Sequence, residues 1–150
     1  MLENCKIDVD WVLLYIGFKN HYINSKEILK YYYNEKLPTL GSNLVVDLEI
    51  YQDSEEMFIG LLEEIAKNNC SDFEVDKKKA SKKWETIFLL EIANSKKSIK
   101  EKLVEIESLW AWFNYPMEWR SFIYYLPNEN MDKSDGAVYK KFLGYLQTLN

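Results

Sequence analysis

Between Ser98 and Pro116, the apolar residues Ile99, Leu103, Ile106, Trp110 and Phe113 recur at spacings of four and three. That repeat places them on one face of an α-helix and on alternating faces of any strand. Ser98 with Glu101 three residues on is a capping box, in which each side chain takes the other residue's free backbone N–H. Pro116 is expected to end this helix.

The same period recurs along the chain. Trp11, Leu14, Tyr15 and Phe18 mark a first helix, with Asp8 as its N-cap and Gly17 and Asn20 weakening its end. Ser25 is expected to cap a second, carrying Ile28, Leu29 and Tyr32 and closed by Pro38. A helix from Asp53 or Ser54 has Glu55 and Glu56 in its first turn, where the helix dipole favours acids. Its stripe is Met57, Phe58, Leu61, Leu62 and Ile65. Ser81 should cap a helix through Trp84, Ile87, Phe88 and Ile92. A last helix from Ser134 or Asp135 should bury Val138, Phe142, Tyr145, Leu146 and Leu149. Residues 44–50 alternate like a strand, but no second strand is evident to satisfy the backbone of a first. A helix after Ser42 puts Leu44, Val45 and Leu48 on one face, and that reading is favoured.

Only 5 Gly and 3 Pro punctuate the 150 residues, too few for a sandwich or barrel. Apolar residues at 47% and charged residues at 29% belong to a soluble globular chain. The expected fold is all-α: a single domain of six or seven helices, in two helical layers or a short solenoid-like stack. Its halves, 1–67 and 84–150, would be joined by a polar, lysine-rich connection over 68–83.

Several function classes lose support at once. The longest apolar run, 11–16, is too short to span a bilayer. The first residues carry Glu3, Asp8 and Asp10, with none of the features of a signal peptide, so a cytoplasmic location is expected. Cys5 and Cys70 form no CxxC pair and read as free thiols. His21 is the only histidine, too few ligands for a histidine-based zinc site, and nothing local joins it to either cysteine as a nucleophile. Phosphate-cradling glycine motifs, GxSxG and Glu-x-x-His are absent, so no cofactor, metal or catalytic residue is expected. The pairs Glu55-Glu56 and Glu63-Glu64 are sequence neighbours that diverge on a helix; Glu56 and Glu63 share a face with Gly60 between them.

Charge is unevenly placed. Residues 1–75 hold 14 acids and 6 bases, a net of −8; residues 76–150 hold 10 acids and 13 bases, a net of +3. Within 47–64 there are seven acids and no base. The simplest reading is a solvated helix face. The functional one is an acidic patch of Asp47, Glu49, Asp53, Glu56, Glu63 and Glu64 that steers a basic partner. The lysine run at 77–83 could grip phosphates. In a chain of net −5 with one arginine, nucleic acid is an unfavoured partner.

Half of residues 110–125 are aromatic: Trp110, Trp112, Phe113, Tyr115, Trp119, Phe122, Tyr124 and Tyr125. Most should form core and a corner, with Tyr115-Pro116 turning the chain into a short helix over 117–126 before Pro127. One core cannot take eight rings, so some should reach the surface. Trp112, Trp119 and Arg120 are of the types that anchor protein interfaces.

The pattern Phe113-x-Tyr115-Pro116, five residues, then Phe122-Ile123-x-Tyr125-Leu126-Pro127 resembles a motif of small uncharacterised bacterial proteins, a domain of unknown function. Trp11, a turn at 15–17, the Leu61-Leu62 helix and the Trp84 helix fall in a similar order, so the resemblance covers nearly the whole chain. It implies a single all-helical domain without assigned activity or catalytic residues. Some small proteins of this kind are suspected immunity proteins, which protect a bacterium from its own secreted toxin. The expectation is therefore a non-catalytic protein-binding module, specifically an immunity protein occluding a basic toxin domain, with no nucleic-acid or membrane partner. The alternative is a domain that self-associates through its opposite half-charges. A carboxylate-dependent enzyme is the third reading.

Overall fold

In the computed structural model, which describes residues 2–34, 37, 39–123 and 134–149, all regular structure is helical. Seven α-helices are present: α1 (Trp11–Lys19), α2 (Ser25–Tyr33), α3 (Ser42–Ile50), α4 (Glu55–Asn68), α5 (Phe73–Asn94), α6 (Ile99–Trp112) and α7 (Asp135–Thr148). Two 3-10 segments, Leu2–Asn4 and Met117–Phe122, carry the total among the described residues past the six or seven expected. Residues 44–50 are helical, as α3, with Leu48 buried. Pro38 and residues 124–127 lie outside the described residues.

The chain divides into two compact units, Lys6–Trp84 with Leu2 and Glu85–Asn150 with Glu3–Cys5. The division falls within α5.

In the first unit, α1 is buried on every side from Trp11 to Phe18. A helix apolar all round has no solvent face to offer, so its neighbours must enclose it. Asp10, not Asp8, is the N-cap: its Oδ1 accepts the Leu13 N–H at 2.8 Å. Nor is there a turn at 15–17, which lies inside the helix. Gly17 does not end α1, which runs on to Lys19 with Asn20 as its C-cap. An added Cβ there would sit 2.3 Å from Cζ2 of Trp84, so the missing side chain is what admits the indole. The Trp84 Nε1–H donates to the Leu13 carbonyl at 2.8 Å.

α1 ends in a Schellman motif, with Tyr22 N–H on Gly17 O (2.8 Å) and His21 N–H on Phe18 O (3.0 Å). His21 occupies the left-handed position at φ 60. α2 is capped by Asn24 in a capping box with Glu27, while Ser25 turns inward and donates to Gln52 O at 2.7 Å. α4, capped by Ser54, packs along α1, with Phe18 and Phe58 ring centroids 4.9 Å apart. Its buried face is Phe58, Leu62, Ile65 and Ala66; Met57 is exposed, because a core-facing stripe on a surface helix is narrower than the run of apolar residues suggested.

The polar stretch 68–83 is not a connection beyond its first few residues. From Phe73 it is the first three turns of α5. The cap is Asp72, whose Oδ1 accepts the Val75 N–H at 3.2 Å, in place of the expected Ser81. Phe73, Ala80 and Trp84, at spacings of seven and four, supply the inward face, and the lysines are its solvated side. Lys77 pairs with Glu74 at 2.9 Å and stands 4.8 Å from the Phe73 ring centre.

The second unit is built on α6, α7 and the 117–122 segment around Leu103, Ile106, Trp110, Trp119, Phe122, Phe142 and Leu146. Tyr145 is half-buried and Leu149 exposed, since Leu149 lies past the last turn of α7. Lys102 is buried within this unit. Its Nζ donates to Ala93 O (2.8 Å), near the C-terminal end of α5, and lies within 3.4 Å of Tyr139 Oη, so a cation satisfies a helix-end carbonyl.

α6 starts with the expected capping box: Ser98 N–H donates to Glu101 Oε2 at 2.8 Å and Glu101 N–H to Ser98 Oγ at 3.2 Å. Accepting the Ser98 N–H is the largest of the causes that hold Glu101 below the usual carboxylate range. The depressed value makes its stabilisation complete above that range and lost as pH falls through the lowered one. Glu101→Gln should be less stable at neutral pH, and its urea-unfolding stability should converge with that of the unaltered chain only as pH falls through and below that lowered value. Curves still parallel there would deny the charge any role.

Candidate functional site

The six acids expected to bind a partner all lie in the first unit. On α3, Asp47 is half-buried and Glu49 exposed; Asp53 is exposed in the α3–α4 connection. On α4, Glu56 is exposed in the first turn, Glu63 is half-buried and Glu64 exposed. Glu63 is partly neutralised by Lys67, 3.0 Å away one turn on. Glu49, Asp53, Glu56 and Glu64 have no basic partner among the described residues.

Beside this face is a cleft of about 340 Å³ that the sequence alone did not disclose. Its walls include His21, Tyr22, Glu27, Gln52, Asp53 and Glu55. The starts of α2 and α4 meet the end of α1 here, because the Schellman turn reverses the chain at His21. His21 Nε2 lies 3.6 Å from Glu55 Oε1, with both side chains mostly exposed. Two of these acids serve helix starts: Glu27 Oε2 accepts the Asn24 N–H at 2.8 Å, and Glu55 lies in the first turn of α4. The local signal was Asn20-His21 after an apolar run, since both residue types tolerate the left-handed conformation that ends a helix.

Trp112, Trp119 and Arg120 lie in the second unit, and the structure separates their roles. Trp119 is fully buried, stacked on Phe122 with centroids 6.1 Å apart. It is a core residue and offers no surface to a partner, because the 3-10 helix 117–122 turns it inward against the core. Arg120 is exposed. Trp112 is 57% exposed, its ring edge-on to Phe88 at 5.4 Å.

α6 ends at Trp112, ahead of Pro116, in a second Schellman motif: Tyr115 N–H on Trp110 O (2.8 Å) and Asn114 N–H on Ala111 O (3.1 Å). Asn114 and Tyr115 both have positive φ, at 60 and 58. Such a pair costs about 1–3 kcal/mol per residue and persists only where its surroundings fix it. Here the Trp110 indole fixes it: Nε1–H donates to Pro116 O at 3.0 Å and the ring meets Tyr115 edge-on at 4.8 Å. The result is an outward Tyr115, followed by Met117, which is 74% exposed.

Both thiols are held above their ordinary value, Cys5 by burial first and Glu91 second among the raising causes. For Cys70 desolvation leads, followed by Asp76, Asp10 and Asp72. Neither microenvironment favours the thiolate that a nucleophile needs. Among the described residues, no three His, Cys, Asp or Glu side chains are placed to hold a metal ion, and no helix is long and apolar enough to cross a membrane.

The Trp110–Tyr115–Pro116 corner is the structural content of the aromatic motif. A family model described as an uncharacterized protein conserved in bacteria, DUF2247, matches residues 1–149. The chain belongs to that family. No curated protein and no solved structure matches this DUF2247 chain.

Proposed function

We propose that this DUF2247 protein is a non-catalytic binding module, and within that class a cytoplasmic immunity protein that occludes a basic toxin domain. The observation that supports the reading is the unpaired acidity of α3, α4 and the connection between them, where Glu49, Asp53, Glu56 and Glu64 are exposed and meet no base among the described residues. Like charges concentrated in one stretch of the chain without compensation raise the negative potential around it and draw a basic surface from a distance. The gain is chiefly in association rate and is screened by salt. The cleft at His21 continues the acidity through Asp53, Glu55 and Glu27.

The full chain, used as bait in its native host, should capture a basic protein. Glu49→Lys with Glu56→Lys should slow the association of that protein by about tenfold or more at low salt, with little change in dissociation. Glu63→Lys should do less, because Lys67 already screens it. Association kinetics unchanged by the double reversal at low ionic strength remove this face from the mechanism.

A further inference from the structure

His21 is the chain's one histidine, and it lines the cleft where the end of α1 meets the starts of α2 and α4. Histidine is the side-chain type that changes charge between pH 5 and 8; carboxylates change below that range and lysines above it. Neither cysteine joins it, because both thiols are held above their ordinary value, with desolvation the first cause.

The cleft ties that charge to its acids. His21 Nε2 lies 3.6 Å from Glu55 Oε1, at the start of α4. Glu27 of α2 and Asp53 of the α3–α4 connection line the same walls, with Tyr22 the remaining titratable side chain there. Glu27 engages Oε2 on the Asn24 N–H, and Asp53 meets no base among the described residues. Lysine is absent from the walls: Lys19, two residues before His21, stands 5.8 Å from the Tyr15 ring centre, and Lys26 of α2 lies outside the lining. A protonated His21 is then the one cation among the residues that line this cleft.

We propose that His21 is a proton sensor for the binding of a basic partner. With the imidazole neutral, the cleft presents its three carboxylates undiminished. With it protonated, the imidazolium offsets Glu55 and weakens the hold on a cation. The inference rests on the reading of the protein as a binder of a basic partner. The position suits the role. The Schellman turn sets His21 at φ 60, where glycine is usual, so a turn that needs no side chain carries an ionisable one beside α4. The His21 and Glu55 side chains are 73% and 68% exposed, so the proton exchanges directly with solvent. An exposed pair of this kind adds little to folding, so its charge is read in binding and not in stability.

A fluorescent lysine decapeptide serves as the basic probe, its affinity for the full chain read by anisotropy at about 20 mM salt, where screening is weak. From about pH 7.5 to about pH 5.5 the affinity of the unaltered chain should fall about threefold, the effect of one added charge beside exposed carboxylates. His21→Asn keeps a residue that tolerates the left-handed backbone and takes no charge. Its affinity should change by much less over the same range, with only the small loss from protonated carboxylates. His21→Lys holds a permanent charge, so it too should respond little to pH and should bind the peptide more weakly than His21→Asn at both values. Circular dichroism should match in all three. If the unaltered chain and His21→Asn fall together, the sensor is overturned and the acidic binding surface stands. The same follows if His21→Lys binds as tightly as His21→Asn. A peptide that binds none of the three at either pH overturns the binding reading itself, and the sensor with it.

Discussion

Gly17→Ala is expected to lower the thermal midpoint by about 10 °C, although alanine is the better helix former by about 1 kcal/mol. The new Cβ would lie 2.3 Å from Cζ2 and 2.8 Å from Cε2 of Trp84, and 3.0 Å from Ile23 Cγ1. No exposed, flexible group is there to give way. Trp84 is fully buried, tied through Nε1 to the Leu13 carbonyl and packed against Tyr22 at 5.2 Å. Making room means moving the ring off that carbonyl, which leaves a buried acceptor short of its indole donor, or moving α1 within its enclosing neighbours. Overpacking costs about 1–3 kcal/mol and the disturbed hydrogen bond about 1–3 more, so the net loss is about 1–5 kcal/mol after the propensity gain of about 1. Trp84→Phe gives the second arm of a cycle. Phenylalanine lacks the outer indole atoms that collide, so adding Gly17→Ala to Trp84→Phe should cost less than adding it to the unaltered chain. Equal costs, or a Gly17→Ala midpoint at or above that of the parent, would mean that the indole is not seated on Gly17.

Helix positions were legible in the sequence wherever an apolar period coincided with a cap. Ser98 with Glu101, Ser54 before Met57 and Ser134 before Ala137 all stand where capping chemistry puts them. The first turns of α5 were hidden for a physical reason. Eleven residues bearing five lysines look like solvent, and their inward face is carried by Phe73 and Ala80 alone until Trp84 arrives. Asp72 caps that helix, but acids are so common in the preceding 25 residues that one more carried little signal. The helix ends were harder. Both Schellman turns use His21 or Asn114 with Tyr115 where glycine is usual, so the punctuation that marks a stop was missing. The acidic face was legible because charge density needs no folding to be counted. Its pairings, such as Glu63 with Lys67 and Glu55 with His21, depend on which residues share a turn or meet across one. The cleft comes from the meeting of separate helices, which no single periodicity encodes.

The aromatic corner supplies the other large effect. From composition alone, Trp112 and Trp119 are equivalent interface anchors, yet they should behave oppositely when truncated. Trp119→Ala is expected to cost about 3–5 kcal/mol, a midpoint drop of 10 °C or more, because the ring is fully buried and touches Phe113 and Phe122 at centroid distances of 5.9 and 6.1 Å. The six-residue 3-10 helix that carries it has no independent stability, and its contacts with α7 run through the same core. Trp112→Ala should cost no more than about 1 kcal/mol in dilute solution, the worth of its edge contact with Phe88 and its tilted contact with Phe113. Urea unfolding reads both numbers. If Trp119→Ala unfolds like the parent, the ring does not hold this core. If the Trp112→Ala deficit is as large as that of Trp119→Ala, Trp112 belongs to the packing of its own unit.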